Sequence, residues 1–168
     1  EQNGFQIIKV EENNVNSGSY RIFCKKKITQ SIKYREKTNL KETLKFISRI
    51  KKIKKNCYNF INKEIKKGKT VMVYGASTKG NTILQFFNLD NKLIKYAAER
   101  TPQKWGKYTV GTGIKIISEE KARKLNPDYF LVLPVAFIDE FIKRESGWLK
   151  NGGKFIVPFP KFKIISKS

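Results

Sequence analysis

The chain has 168 residues, 39% hydrophobic and 12% aromatic, which suits one ordinary domain with an appendage and excludes a wholly disordered chain. Its 36 Lys and Arg against 14 Asp and Glu give a formal charge of +22, and it has no histidine, the commonest general base and metal ligand near neutral pH. No apolar run approaches the ~20 residues that span a bilayer, and no charged region followed by an apolar block opens the chain, so the expectation is a cytoplasmic protein without a membrane span.

Any acid–base chemistry therefore falls to Glu, Asp, Lys, Tyr or a second domain. Cys24 and Cys57 have no CxxC partner, and both read as reduced and structural rather than as a zinc site or a disulfide framework. The first residue is Glu1, and the opening reads as mid-domain sequence, which makes a fragment of a longer chain the expectation.

In chain order, Gly4 to Val10 and Gly18 to Cys24 are apolar runs on either side of an Asn/Ser/Gly-rich loop, the pattern of an antiparallel hairpin. Alone it is marginal, so it completes a sheet or docks on the main domain. Residues 25–38 are charged, lack a period and read as a linker.

Asn39 can cap a long helix over 39–67, where Leu40, Leu44, Ile47, Ile50, Ile53, Cys57, Phe60, Ile61 and Ile65 recur close to every 3.6 residues. Gly68 is placed to stop it. The apolar face is spaced for a core in its own domain, and it lacks the Trp of a membrane-surface helix. The helix lies in a basic block, residues 21–69, with 18 Lys and Arg against three Glu. Such a block can track a polyanion. The basic residues are mostly Lys and no aromatics are regularly interleaved as a stacking platform, which favours a solvated lysine-rich surface.

Residues 70–81 form the centre of the pattern: the apolar run Val71, Met72, Val73 and Tyr74, then Gly75, small and hydroxyl residues, and Gly80. A buried strand, a tight glycine turn and a helix start make backbone N–H groups converge where a phosphate or another anion can sit. The same turn also serves simple helix-on-strand packing. A helix follows over 78–87, with Ile83, Leu84, Phe86 and Phe87 turned inward. A second strand over 93–98 ends at Glu99, and residues 100–112 form a Pro-, Gly-, Lys- and Thr-rich loop. A short strand over 114–117 leads to Ser118, an N-cap with Glu119 and Glu120 in the first turn of a helix to Leu125. Then come a buried strand over 128–133 ended by Pro134, a helix around 138–145, a glycine turn at 151–153, and strands near 155–157 and 162–165.

This alternation predicts an α/β fold with a Rossmann-like, doubly wound, mostly parallel sheet, preceded by a β-hairpin and a long basic amphipathic helix. The expected domains are 1–38, hairpin and linker, and 39–168, the helix and the sheet. Ligands of such sheets bind beyond the carboxyl ends of the strands. The polar residues of interest lie there.

Glu99 ends the second strand 24 residues after Gly75, where a nucleotide-binding domain of this kind places an acid for ribose hydroxyls. A solvated or Lys-paired Glu explains it equally. Lys79, Arg100, Lys104 and Lys107 add positive charge suited to a diphosphate. Trp105 can cover a base or sugar, or seal its loop. Ser77 has no Gly-x-Ser-x-Gly context and no His to activate it. Glu119, Glu120, Asp139 and Glu140 are explained by helix first turns. No catalytic constellation emerges.

Val73-Tyr-Gly-Ala-Ser-Thr-Lys-Gly-Asn81, Glu99-Arg-Thr-Pro-Gln-Lys104, Gly106-Lys-Tyr-Thr-Val-Gly-Thr112, Pro127-Asp-Tyr-Phe-Leu-Val-Leu-Pro134 and Gly152-Gly-Lys-Phe-Ile-Val-Pro158 together resemble the C-terminal domain of sugar C-methyltransferases. These enzymes methylate a carbon of a nucleotide-linked deoxysugar with S-adenosylmethionine. The resemblance implies that the hairpin ends a central methyltransferase domain, and that this domain and an N-terminal zinc-binding region lie outside this sequence. It further implies no cofactor in this chain, S-adenosylmethionine in the missing domain, and proton abstraction from the sugar mainly by residues there. The implied partners are the nucleotide-sugar and the chain's own methyltransferase domain.

The substrate-binding residues so implied are Gly75, Ala76, Ser77, Thr78, Lys79, Gly80 and Asn81 of the turn, Glu99, Arg100, Pro102, Lys104 and Lys107, Gly111 and Thr112, and Pro134. No catalytic or metal-binding residue is assigned. Three departures from the family pattern stand out. Glu99 replaces Asp, Val110 replaces Pro before Gly111, and Val135-Ala136 replaces a Trp-Asn pair or similar, which removes an aromatic and a polar side chain from the rim. The alternative from another class is a basic nucleic-acid-binding or scaffolding module. A nicotinamide or coenzyme A site at the turn is a third, and the missing third glycine of the dinucleotide fingerprint counts against the former.

Overall fold

The computed structural model describes residues 4–15, 18–26 and 39–167. The chain divides into two compact units, Glu1–Leu44 and Lys45–Ser168. In the first, β1 (Phe5–Asn13) and β2 (Ser19–Lys26) form the expected antiparallel hairpin, with a register shift between Ile7 and Lys9. Phe5, Ile8, Tyr20, Ile22 and Phe23 are exposed on it, as a two-stranded ribbon requires. The expected linker lies from residue 27 onward outside the described residues.

Helix α1 (Leu40–Lys66) starts where Asn39 predicts, with Asn39 Oδ1 accepting the Glu42 N–H at 2.9 Å. It ends at Gly68, whose φ is +80°. Ile53, Cys57 and Ile61 are buried, with Ile50, Phe60 and Ile65 packed beside them. Burial pushes the Cys57 thiol up to about 12. Cys24 is exposed, and both cysteines are free. The stripe does not run the full length of the helix. Leu40, Leu44 and Ile47 are 74%, 56% and 40% exposed, because the periodic face begins to be covered only about three turns in.

The second unit holds a six-stranded sheet of β3 (Val71–Tyr74), β4 (Tyr96–Glu99), β5 (Lys115–Ser118), β6 (Tyr129–Val132), β7 (Lys154–Val157) and β8 (Lys163–Ile165), in the order β5-β4-β3-β6-β7-β8. All neighbours are parallel except β7 and β8. The central strand β3 is buried along its whole length, as expected of a continuous apolar run in a sheet covered on both faces.

Alternation along β3 divides the core in two. Val71 and Val73 pack with Ile53, Cys57 and Ile61 of α1 and with Leu84 and Phe87 of α2 (Thr78–Phe87). Met72 and Tyr74 pack with Ala122 of α3 (Glu119–Lys124), Phe141 of α4 (Ile138–Arg144) and Leu149 of α5 (Ser146–Lys150). The elements follow the expected order, with α5 added. Phe86 is corrected: it is 45% exposed and lies under the Lys54 ammonium at 4.8 Å. Among the described residues no helix is long and apolar enough to cross a membrane.

A buried polar network fixes β3 against α3 and α4. The Tyr74 hydroxyl donates to Glu145 Oε1 at 2.6 Å. Arg123 donates to both oxygens of Glu145, and its Nη2 also reaches Glu119 at 2.9 Å. Arg144 donates from Nε to the Tyr74 oxygen at 3.2 Å and from Nη2 to Glu119 at 3.1 Å. Glu145 is 2% exposed. Burial alone would raise its carboxyl, but the bonds from Arg123 and Tyr74 outweigh that and hold it below the usual range. Burial raises the Tyr74 phenol, so it stays protonated and donates.

Glu145→Ala would leave the buried Tyr74 hydroxyl without its acceptor, while Arg123, its side chain 39% exposed, keeps Glu119. Leaving a buried hydroxyl unsatisfied costs about 1–3 kcal/mol, and urea unfolding at neutral pH should show a loss of that size. A loss under about 1 kcal/mol, the value of a solvated surface pair, would remove this network from the fold's support.

Candidate functional site

The strand–turn–helix centre is built by two close approaches. Gly75 has φ +86°, and a Cβ there would lie 2.6 Å from Pro134 Cγ, so a side chain is excluded both by backbone and by space. Its N–H donates to Ala98 O at 2.8 Å, which carries the β3–β4 ladder into the turn. Ser77 caps α2 by accepting the Gly80 N–H at 3.0 Å. A Cβ on Gly80 would meet Leu133 Cδ1 at 2.7 Å, so glycine here lets the first turn of α2 lie against the end of β6.

Glu99 is 8% exposed, and its carboxylate is fully engaged. Oε1 accepts the Arg100 and Thr101 N–H groups, each at 3.0 Å. Oε2 accepts the Ala76 N–H at 3.0 Å and the Lys104 ammonium at 3.2 Å. Burial works to raise its pKa, but the Thr101 and Lys104 bonds together prevail and keep it below the usual carboxylate range. Lys104 also donates to Ala76 O at 3.0 Å, and the Trp105 indole donates to Glu99 O at 2.8 Å. Trp105 thus seals its loop.

Beyond the carboxyl ends of β3, β4 and β6 lies a cavity of about 300 Å³. Of the expected site residues it gathers Gly75, Ser77, Glu99, Arg100, Lys104 and Pro134. Ala76 acts through its backbone on Glu99 and Lys104. Thr78, Lys79, Gly80 and Asn81 form the first turn of α2, outside the lining. Among the described residues, Asn81 Oδ1 is the one buried side-chain oxygen or nitrogen without a hydrogen-bond partner.

Pro102 opens a 3-10 turn, Pro102–Lys104, and does not line the cavity. Nor do Lys107, Gly111 and Thr112. Gly111 backs onto Gln85 of α2, and Thr112 is paired with Thr109 at 2.7 Å.

The other wall comprises Tyr74, Glu119, Phe137, Glu140, Phe141 and Arg144. Sequence reasoning missed it, because Glu119 and Glu140 were explained as helix first-turn acids. A usable signal existed: Phe137, Glu140, Phe141 and Arg144 follow Pro134 at positions i, i+3, i+4 and i+7, which is one helical face.

Lys104 is held by Glu99, and Arg144 bonds Glu140 at 3.2 Å and Glu119 at 3.1 Å, while Arg100, its side chain 74% exposed, lies 3.7 Å from Glu140, beyond hydrogen-bond reach. Of the four cations expected to suit a diphosphate, Arg100 and Lys104 line the cavity, and Lys79 and Lys107 lie outside its lining.

The residues present do not fit S-adenosylmethionine. The acid placed to take its ribose hydroxyls has its acceptor sites filled by four internal donors. Among the described residues no group of three or more His, Cys, Asp or Glu can hold a metal.

Because Glu99 is depressed when folded, its stabilisation is full above the unfolded value of ~4.3 and is lost as pH falls through the folded value. Glu99→Gln should cost about 1.5–3 kcal/mol at pH 7, with the gap to the parent narrowing in urea titrations as pH falls below ~4.3. A gap that stays constant as the pH is lowered would show that the carboxylate's charge has no part in holding the turn.

A family model described as the C-methyltransferase C-terminal domain matches residues 14–160. The C-methyltransferase NovU of Streptomyces niveus is 42% identical over 99 residues, which are 59% of this chain and 24% of that protein. The matched stretch thus spans about a quarter of that relative's length. The resemblance in the motifs and the family match agree: the chain belongs to the C-methyltransferase C-terminal domain family.

Proposed function

We propose that this chain is the substrate-binding C-terminal part of an S-adenosylmethionine-dependent C-methyltransferase acting on a nucleotide-linked sugar. Methyl transfer is carried by a part of the enzyme outside this sequence, and the sheet is a Rossmann-like, doubly wound one. The observation that carries the reading is the cavity beyond the carboxyl ends of β3, β4 and β6, which brings together six of the residues named for substrate binding. Family membership and the name of the relative support the reaction class.

The proposed division of labour follows from the chemistry at hand. The cavity offers aromatic surface, a backbone turn and paired charges. Its tyrosine is raised by burial and donates to Glu145, so it is not poised to take a proton from a sugar carbon. The chain's role is to hold and orient.

Isothermal calorimetry with thymidine or uridine diphosphate sugars, on this chain and on its parent enzyme, tests the proposal. Binding is expected, and Lys104→Ala should weaken it at least tenfold, because Lys104 supports Ala76 and Glu99 together. Absence of heat with both proteins, or unchanged affinity in the parent carrying Lys104→Ala, would defeat the reading.

A second reading rests on α1, where Lys45, Lys52, Lys55 and Lys66 make no ion pair with the described residues. A polyanion-binding face requires affinity that drops steeply with salt. Unchanged mobility of single- and double-stranded nucleic acid at low salt would dispose of it.

A further inference from the structure

We infer that the groove between α1 and the C-terminal end of α2 docks an acidic segment of a partner protein, one that brings a large apolar side chain flanked by carboxylates. The groove shares no lining residue with the cavity beyond β3, β4 and β6, so this interaction is independent of the substrate reading above.

The groove opens where α2 stops covering α1. Lys51, Lys54, Lys55, Tyr58 and Asn59 form one side, spaced i, i+3, i+4, i+7 and i+8 on a single face of the helix. Phe87 and Asn88 form the other. Asn88 ends α2 in the left-handed region, with φ 58° and its N–H turned back onto the Leu84 and Gln85 carbonyls, so α2 goes no further along α1. Tyr58, half-buried, gives the groove an apolar floor with Phe87 behind it, and the lysine stems add methylene surface. The space is about 260 Å³. That is below the ~300–1,000 Å³ of small-molecule pockets and suits one or two side chains of a larger partner.

The charge around this floor has no counterpart within the chain. Lys51, Lys54 and Lys55 form no ion pair among the described residues. The acids of α1, Glu42 and Glu64, stand nine positions before Lys51 and nine after Lys55, beyond the i, i+4 reach of a helix pair. The last carbonyls of α2 already accept the Asn88 and Leu89 N–H groups, so the lysines are not its caps. Like charges at i, i+3 and i, i+4 repel, and no lining residue offsets them. Carboxylates brought from outside would remove that repulsion and supply electrostatic complementarity.

The occupant follows from comparing what each class offers. A second copy of this chain brings another +22 to a surface already positive. A nucleic acid needs open aromatic faces for its bases, but the exposed ring that Lys54 reaches, Phe86, has the ammonium over it at 4.8 Å. An acidic protein segment meets both halves of the groove. Its apolar side chain enters the floor and its carboxylates meet the ammoniums. Asn59 and Asn88 are exposed and make no side-chain hydrogen bond among the described residues, so their amides are open to its backbone.

The test is NMR titration of the isotope-labelled chain with acetylated, amidated peptides of about a dozen residues. A peptide with a Leu-Phe pair set among Glu residues should shift the amides of Lys51, Lys55, Tyr58, Asn59 and Asn88. Replacing every Glu by Gln, or the Leu-Phe pair by Ser, should weaken binding at least tenfold. The double variant Lys51→Glu with Lys55→Glu should weaken the first peptide at least tenfold. Lys45→Glu with Lys52→Glu makes the same change of charge outside the groove lining and should cost no more than about threefold. Nucleotide-sugar titrations of the groove variant should match the parent chain, which keeps this outcome separate from the substrate reading.

Equal losses from the two double variants, or a Gln or Ser peptide that binds as tightly as the first, would reduce the groove to a non-specific surface and overturn the inference. Oligothymidylate shifting the groove amides where the acidic peptide does not would also overturn it, as would silence from every peptide at millimolar concentration. Should the groove variant fail to fold, the peptide series on the unchanged chain still decides.

Discussion

Four donors converge on one carboxylate at the end of β4. The Ala76 N–H comes from the turn after β3, the Arg100 and Thr101 N–H groups from the start of the following loop, and the Lys104 ammonium from the 3-10 turn beyond it. A buried carboxylate is tolerated only when its acceptor sites are filled, so the three segments are held in one arrangement. Pro134 closes on Gly75 from the other side. This side of the cavity is thereby held by backbone and a buried acid. Such preordering lowers the entropic cost for any molecule that enters.

The wall opposite is held by the same logic with different residues. Tyr74 ends the central strand and faces away from α1, and its hydroxyl finds Glu145, which in turn holds Arg123. Arg144 joins this group to the cavity, since it touches Tyr74, Glu119 and Glu140. Its guanidinium thus braces the core and lines the cavity at once. That is a use for which the planar fork of arginine is better suited than lysine, in a chain whose basic residues are mostly lysine.

Local patterns carried the first of these walls. A four-residue apolar run, a glycine and a serine two residues on reproduce the strand, turn and cap with their functions, because each depends on residues within a few positions of one another. The second wall depends on where α4 comes to rest over the end of β3. Acids at Asp139 and Glu140 satisfy a helix first turn wherever that helix lies, so their types carried no information about the cavity. The same limit explains α1, where the 3.6-residue period announces an apolar face at Leu40, Leu44 and Ile47 but not what covers it. Glu99 is the instructive case. Its position matched a ligand-binding acid, while the donors that occupy it are mainly backbone N–H groups, which no residue pattern displays.

The overall charge and the site chemistry are separable for a physical reason. Of the acids, Glu64, Glu99 and Glu145 are buried, and each has drawn in a cation: Lys67, Lys104 and Arg123. Burial enforces pairing, since an unmatched interior charge is far costlier than an unmatched surface one. The basic excess is left to solvated faces such as that of α1. A net charge of +22 therefore coexists with a cavity whose charges balance. The steering that such a surface exerts on anions at a distance is therefore a property separate from the paired charges that line the cavity.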